Sequence, residues 1–364
     1  EVDLQPSGWR AHGHDRNPAF NKVILHVVWE AAGAFGRTAS GPRATPRALA
    51  LQRALDAPLS ELSVWLEREP VKPLPENFRG KCSAPLRELS AAQLETLLNE
   101  AAQLRFEAKA AQLRARAAHA GWEQALWEGL FRALGYKHNI WPMHWLAETR
   151  GRWLREPATP LTLQARLLGV SGLLPTDLPR VAADADGYVR RVWDCWWRER
   201  DEFGDVTLPR AAWRFHGLRP ANHPQRRLVL AAHWLAADEL PAQLERWCAL
   251  TIPTARLEPT LLKILQCDHD EFWSWHWTFR SARLQKAHPL LGATRATDLA
   301  INVILPWLWT RAVEGGNLQL RAEIARRYFN WPSAEDNSVL RLARQRLLGG
   351  AHTGGWRGAA QQQG

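Results

Sequence analysis

The chain opens on EVDLQPSGWRAHGHDRNPAFNKVILHVVWE, a stretch dense in side chains that can do chemistry. Glu1 and Asp3 stand two apart in a run that reads as a strand. Side chains two apart on a strand share a face, so both carboxylates would aim at one point. Such a pair suits a hard divalent cation, Mg²⁺ or Mn²⁺. A cation there can activate water and stabilise charge on a phosphodiester in transit. HGHD then supplies His12, His14 and Asp15, and His26 lies inside the next apolar run. An imidazole beside a metal-bound water can act as general base or as leaving-group acid. Glu1, Asp3, His12, His14 and His26 are therefore the candidate catalytic residues, with Glu1 and Asp3 as metal ligands. Arg10, Arg16 and Lys22 are interleaved with them and suit a phosphate backbone. The plainer alternatives are a solvated edge strand for the two acids and a core histidine for His26.

These residues need elements to position them. Val23 to Trp29 is β-branched, flanked by turn formers, and reads as a buried strand. Glu1 to Leu4 reads as a strand, Ala31 to Pro46 as a loop or hairpin tip, and Arg47 to Gln52 as a third strand. From about residue 56 the periodicity is helical. SAAQ at Ser90 to Gln93 has capping-box spacing, and Leu94, Leu97, Leu98, Ala101 and Leu104 recur behind it at helical intervals. That helix breaks at Gly121, and the next, about Trp122 to Leu134, ends at Gly135 in the role of a left-handed cap. Pro142 fits the first turn of a third. Further helices are expected over Leu161 to Leu168, Asp184 to Glu202, Arg226 to Ala237, Pro241 to Leu250, Glu258 to Gln266, Asp270 to Trp277, Thr297 to Thr310 and Leu318 to Tyr328. The expected architecture is α/β plus all-α: an α/β region at 1–55, a large helical domain at 56–350, and a flexible or truncated tail at 351–364.

Composition narrows the function classes. No apolar run reaches the about 18 to 20 residues that span a bilayer, and the longest attempt, Leu299 to Trp309, contains Pro306. The opening residues do not read as a signal peptide. A soluble, cytoplasmic protein is the expectation. Lys plus Arg is 47 against 37 Asp plus Glu, and a net charge of +10 suits a polyanionic partner such as nucleic acid. Cys82, Cys195, Cys248 and Cys267 form no CxxC pair, which reads as reduced, mostly buried thiols. The 21 tryptophans, with runs such as Trp193, Trp196 and Trp197, read as core packing. Gly-rich phosphate loops, nucleophile elbows and HExxH helices are absent from the sequence.

The opening stretch resembles the signature of a bacterial family known as domain of unknown function 2851. The resemblance continues through LGYKHN (134–139), LLGVSGLL (167–174), LRPANHPQRRL (218–228), LGATRATDLAINVILPWL (291–308) and SAEDNSVL (333–340). It implies an acid-bearing strand similar to that of the PD-(D/E)XK nuclease core, whose other acid lies on a preceding strand. Hence the resemblance implies a partial restriction-endonuclease-like core and a chain cut at both ends, inactive in this form. Glu1 stands at the acid position, while Asp3 stands where the nuclease pattern has Lys and many family members have His. Trp9, His12 and His14 match the signature; Gly8 and Asn17 stand where Asp is expected.

Two other constellations carry polar chemistry. RPANHPQRR gathers Arg219, Asn222, His223, Arg226 and Arg227, and Arg219 and Arg227 are candidate phosphate contacts. The alternative is a loop before a helix, with Asn222 capping and Arg227 salt-bridged. Asp298 and Asn302 share a helix face in a very apolar segment and read as a structural hydrogen-bond network. The functional expectation is a metal-dependent nuclease or a nuclease-related nucleic-acid-binding protein. The alternative is a non-catalytic helical interaction protein.

Overall fold

The computed structural model describes residues 3–21, 23–30, 46–54, 89–154, 158–176, 187–237, 239–267 and 269–332. The chain divides into two compact units, Glu1–Gly80 and Lys81–Gly364. The expected boundary at 55–56 and the tail at 351–364 lie outside the described residues, as do Glu1 and Lys22.

In the N-terminal unit a short helix α1 (Gly8–Ala11) and two 3₁₀ turns lead into strand β1 (Leu25–Val28). Strand β2 (Arg47–Ala50) pairs with it in parallel, Leu25 opposite Arg47 and Val28 opposite Ala50, and runs into helix α2 (Leu51–Ala54). On the other edge of β1, Asp3 bridges Val28 in parallel, and Trp29 and Glu30 donate their amides to the carbonyls of Asp3 and Leu4. The parallel pairing corrects the hairpin reading of Ala31 to Pro46, because two parallel strands require a crossover. Residues 31–45 themselves lie outside the described set. A second correction concerns β1, which is buried on one face only. His26 and Val28 point inward and Leu25 and Val27 are exposed. A continuous apolar run does not distinguish one covered face from two. Among the described residues the sheet extends no further, and the restriction-endonuclease-like core expected here is not seen.

The second unit is helical. Its long first helix α3 (Ala91–Ala120) is followed by α4 (Trp122–Leu134), α5 (Ile140–Glu148), α6 (Arg150–Trp153), α7 (Pro160–Val170) and α8 (Tyr188–Glu199). Then come α9 (Pro224–Ala237), α10 (Leu240–Ala249), α11 (Leu257–Leu265) and α12 (Ala293–Leu299). A π turn (Ala300–Ile304) joins α12 to α13 (Leu305–Glu314), and α14 (Leu318–Phe329) closes the described chain. The π turn ends two residues before Pro306, which has no amide to donate and whose ring crowds the turn before it. No described helix is long and apolar enough to cross a membrane.

Local chemistry sets these boundaries. Ser90 Oγ accepts the Gln93 amide at 3.3 Å while Gln93 Oε1 accepts the Ser90 amide at 2.9 Å, a complete capping box. Ser90→Ala is expected to lower stability by about 1 kcal/mol, read as a shift in the urea midpoint. Gly121, at φ 87°, ends α3. Gly135, by contrast, is right-handed, which corrects its reading as a left-handed cap. It is glycine for lack of room: a Cβ there would meet the Asn139 carbonyl oxygen at 2.3 Å. The left-handed residue is its neighbour Tyr136, at φ 52°.

The core is built on fully buried Trp127, Trp153, Trp273 and Trp307, together with Phe106 and Phe131. Arg105 donates to Asn302 Oδ1 at 2.7 Å and Arg295 to Asp298 at 2.8 Å, so these two polar residues belong to a structural network. Among the described cysteines, Cys248 is buried and Cys195 and Cys267 half-buried, all as free thiols; Cys82 lies outside the described residues. Asp270 to Trp277 is a set of turns and not the expected helix. The Trp273 carbonyl, which a helix here would pair with the Trp277 amide, accepts the Arg226 guanidinium instead, as does the His276 carbonyl.

Candidate functional site

The N-terminal unit gathers four of the five candidate catalytic residues; Glu1 lies outside the described residues. The Asp3 bridge to β1 buries its carboxylate beside that strand's inward face. There Asp3 Oδ2 accepts a hydrogen bond from His26 Nε2 at 2.8 Å. On its other side Asp3 Oδ1 lies 3.7 Å from His12 Nε2. Trp9, buried on α1, sets its ring 5.2 Å from both His14 and His26, and His14 stacks on His12 at 5.7 Å. The result is a carboxylate with an imidazole on each flank, backed by an indole.

Burial separates the roles of the two flanking rings. His26 is enclosed, and its Nδ1 is buried with no partner among the described residues. A ring that donates from Nε2 and leaves Nδ1 bare carries its proton at Nε2. His26 therefore anchors Asp3 and has no open nitrogen for a substrate. His12 keeps 47% of its side chain exposed, so it is the imidazole that can meet one. Arg10 and Arg16 are exposed on the same short segment.

Gly8 explains how the carboxylate fits. A Cβ at residue 8 would come within 2.5 Å of Asp3 Cγ. The two departures from the expected pattern, Asp at 3 and Gly at 8, are thus sterically linked. The Asp3 carboxylate occupies the space a side chain at 8 would enter.

The fit to a divalent cation is incomplete. Mg²⁺ and Mn²⁺ seek several oxygen ligands. Asp3 is the carboxylate that meets the histidines among the described residues, and one of its oxygens is already engaged by His26. Among the described residues no group of three or more His, Cys, Asp or Glu side chains could hold a metal ion. No step is therefore routed through a metal.

In the helical unit the two candidate arginines part company. Arg219 is exposed. Arg227 is buried, donating to the Leu290 carbonyl at 2.8 Å and to Asn222 Oδ1 at 2.6 Å, which removes it from any phosphate-facing surface. Burial, then Arg295 and Arg226 nearby, push its pKa down to about 9.

One cluster in this unit was missed by sequence reasoning. Asp270 accepts from His233 Nε2 at 2.7 Å, from Gln164 Nε2 at 3.0 Å, and from the amides of Phe272 and Trp273. Tyr188 donates to Gln164 Oε1 at 2.5 Å and accepts from Trp273 Nε1 at 2.7 Å. An open cavity of about 280 Å³ lies against Gln164, Tyr188, His233 and Asp270. These residues come from four separate elements, so no local spacing announces them.

The class of protein defined here is thus a predominantly helical one with a small parallel β unit that carries an Asp–His cluster. The sequence model of the family described as "Protein of unknown function (DUF2851)" matches residues 1–338, and the chain belongs to that family. No curated protein and no solved structure matches it.

Proposed function

We propose that this protein binds and processes nucleic acid, with the Asp3–His12–His26 cluster as its proton-transfer centre. The observation that carries this reading is a buried carboxylate held 2.8 Å from an enclosed imidazole and 3.7 Å from an exposed one. In that arrangement His26 fixes Asp3, Asp3 faces His12 across 3.7 Å, and His12 gives or takes a proton at a phosphodiester. Arg10 and Arg16 would meet the flanking phosphates. The net charge of +10 supports the same partner. Mg²⁺ or Mn²⁺, with Glu1 and Asp3 as ligands, remains part of the proposal and is tested separately.

The test incubates the protein with single- and double-stranded DNA and RNA in Mg²⁺, Mn²⁺ or EDTA. His12→Ala and Asp3→Asn are each expected to slow cleavage by about 10²-fold or more. Cleavage that survives EDTA would remove the metal from the scheme. No cleavage in any buffer, or full activity in His12→Ala, would overturn the reading. It would leave the alternative, a non-catalytic helical interaction protein. That alternative draws on the helical unit, where Asp270, His233 and Gln164 satisfy one another internally.

A further inference from the structure

We propose that the helical unit carries a binding surface for single-stranded nucleic acid, built from the loop before α5 and the loop before α9. The proposal does not depend on the Asp3 centre, which lies in the other unit.

The charge pattern is the first observation. No Asp or Glu occurs from Gly129 to Ala147 or from Val206 to Ala237. The second of these segments holds Arg210, Arg214, Arg219, Arg226 and Arg227. Arg226 and Arg227 are buried and donate to backbone carbonyls of the 273–290 segment. The other three are exposed.

Tertiary contacts bring the two acid-free loops together. Buried Asn139 donates to the Arg214 carbonyl at 2.9 Å and accepts the Arg214 amide at 2.8 Å, a two-point clamp between the loops. The clamp uses only the Arg214 backbone and leaves its side chain outward. Next to Asn139, Lys137 is exposed, Tyr136 is 50% exposed and Trp141 is 60% exposed. Tyr136 holds its left-handed backbone with the Arg295 guanidinium 4.3 Å above its ring. Across the clamp, Arg210 sits 4.8 Å over Phe215.

Exposed cations beside the open Tyr136 and Trp141 rings, with no carboxylate within 129–147 or 206–237, match one chemistry. The cations meet phosphates, and the rings stack on bases. Stacking needs an unpaired base, because a duplex hides its base faces. A purely acidic protein partner would use the cations and leave Tyr136 and Trp141 without a role. The expected ligand is therefore single-stranded DNA or RNA, read by stacking and charge and not by sequence.

The experiment is fluorescence anisotropy on the full chain in EDTA, so that nothing is cleaved. The probes are labelled oligo-dT and oligo-U, a duplex of equal length, and phosphatidylserine vesicles as a separate anionic surface. Salt-sensitive binding of the single strands, tighter than the duplex, is the expected result. Trp141→Ala should weaken it by about tenfold. Lys137→Glu with Arg214→Glu should weaken it further and lower the salt slope by about 1.4. Binding is read in EDTA and cleavage in the separate assay of His12→Ala and Asp3→Asn, so this surface and the proposed cleavage centre fail independently. Near-UV circular dichroism verifies that the variants keep their fold. Binding unchanged in the folded variants, equal binding of the duplex, binding of vesicles alone, or no binding at low salt would each overturn the proposal.

Discussion

Replacing Arg226 by alanine is expected to lower stability by about 3–5 kcal/mol, among the largest effects of any single substitution in this protein. Its guanidinium is buried and donates to the carbonyls of Trp273, His276, His288 and Pro289, with the Trp277 ring 4.7 Å away. Burial pushes its pKa down to about 10, and the Asp270 carboxylate opposes that shift. The buried Trp273 and His276 carbonyls would lose their donor, each at a desolvation cost of about 1–3 kcal/mol before relaxation, and the more open His288 and Pro289 carbonyls would lose theirs at a smaller cost. Arg226→Lys is a sharper test, because an ammonium cannot span sites that a planar fork reaches. It should still lose about 2 kcal/mol. Urea unfolding reads both. A lysine variant as stable as the parent would show that the turns at 270–291 hold without this staple.

The second large effect is at Asp270, and it carries a pH signature. Asp270→Ala strands His233, Gln164 and two backbone amides and should cost about 3 kcal/mol. Burial alone lowers the His233 pKa, but hydrogen bonding to the Asp270 carboxylate and to Cys267, with the charge on those groups, together outweighs it and raises the pKa to about 9. Since the unfolded value is about 6.5, the protonated pair stabilises the fold fully below that pH. Its contribution, about 2 kcal/mol with the partly open flank of His233 discounted, fades as pH rises through 9. Burial also raises the Asp270 pKa, and here His233 and the Phe272 and Trp273 amides win and hold it below the ordinary carboxylate value. That second contribution is present above about pH 4 and is lost in more acid solution. The parent should therefore lose stability between pH 6.5 and 9. Asp270→Asn, measured by urea titration at several pH values, should show a flatter profile across that window. An equal slope in both proteins would exclude the pair as the source.

Much of the helical unit was legible in advance. The capping box at Ser90, the break at Gly121 and the helix from Trp122 to Leu134 follow from residues that act within one turn. The reading of Asp270 to Trp277 as a helix erred because its carbonyls are claimed by Arg226, 47 and 50 positions away in sequence. Arg226 and Arg227 are adjacent in RPANHPQRR, and Arg227 reads there as a phosphate contact like Arg219. Only burial separates them from it, and no local pattern records burial of an arginine.

In the N-terminal unit the residue types were legible and their arrangement was not. Asp3, His12, His14 and His26 were singled out by type and spacing, and the structure brings them to one place. That His26 is the enclosed anchor and His12 the exposed ring depends on parallel pairing across β1, a long-range contact.

The sequence by itself determined the helical caps and breaks, the basic excess, the acid-free segments and the family. These are properties of composition or of neighbours within a turn. Tertiary structure alone decided which arginines became staples and which stayed at the surface. It also decided that Asn139 clamps two basic loops and that Asp270 meets His233. Those outcomes depend on which elements pack together, and packing is set by contacts between residues far apart in the chain.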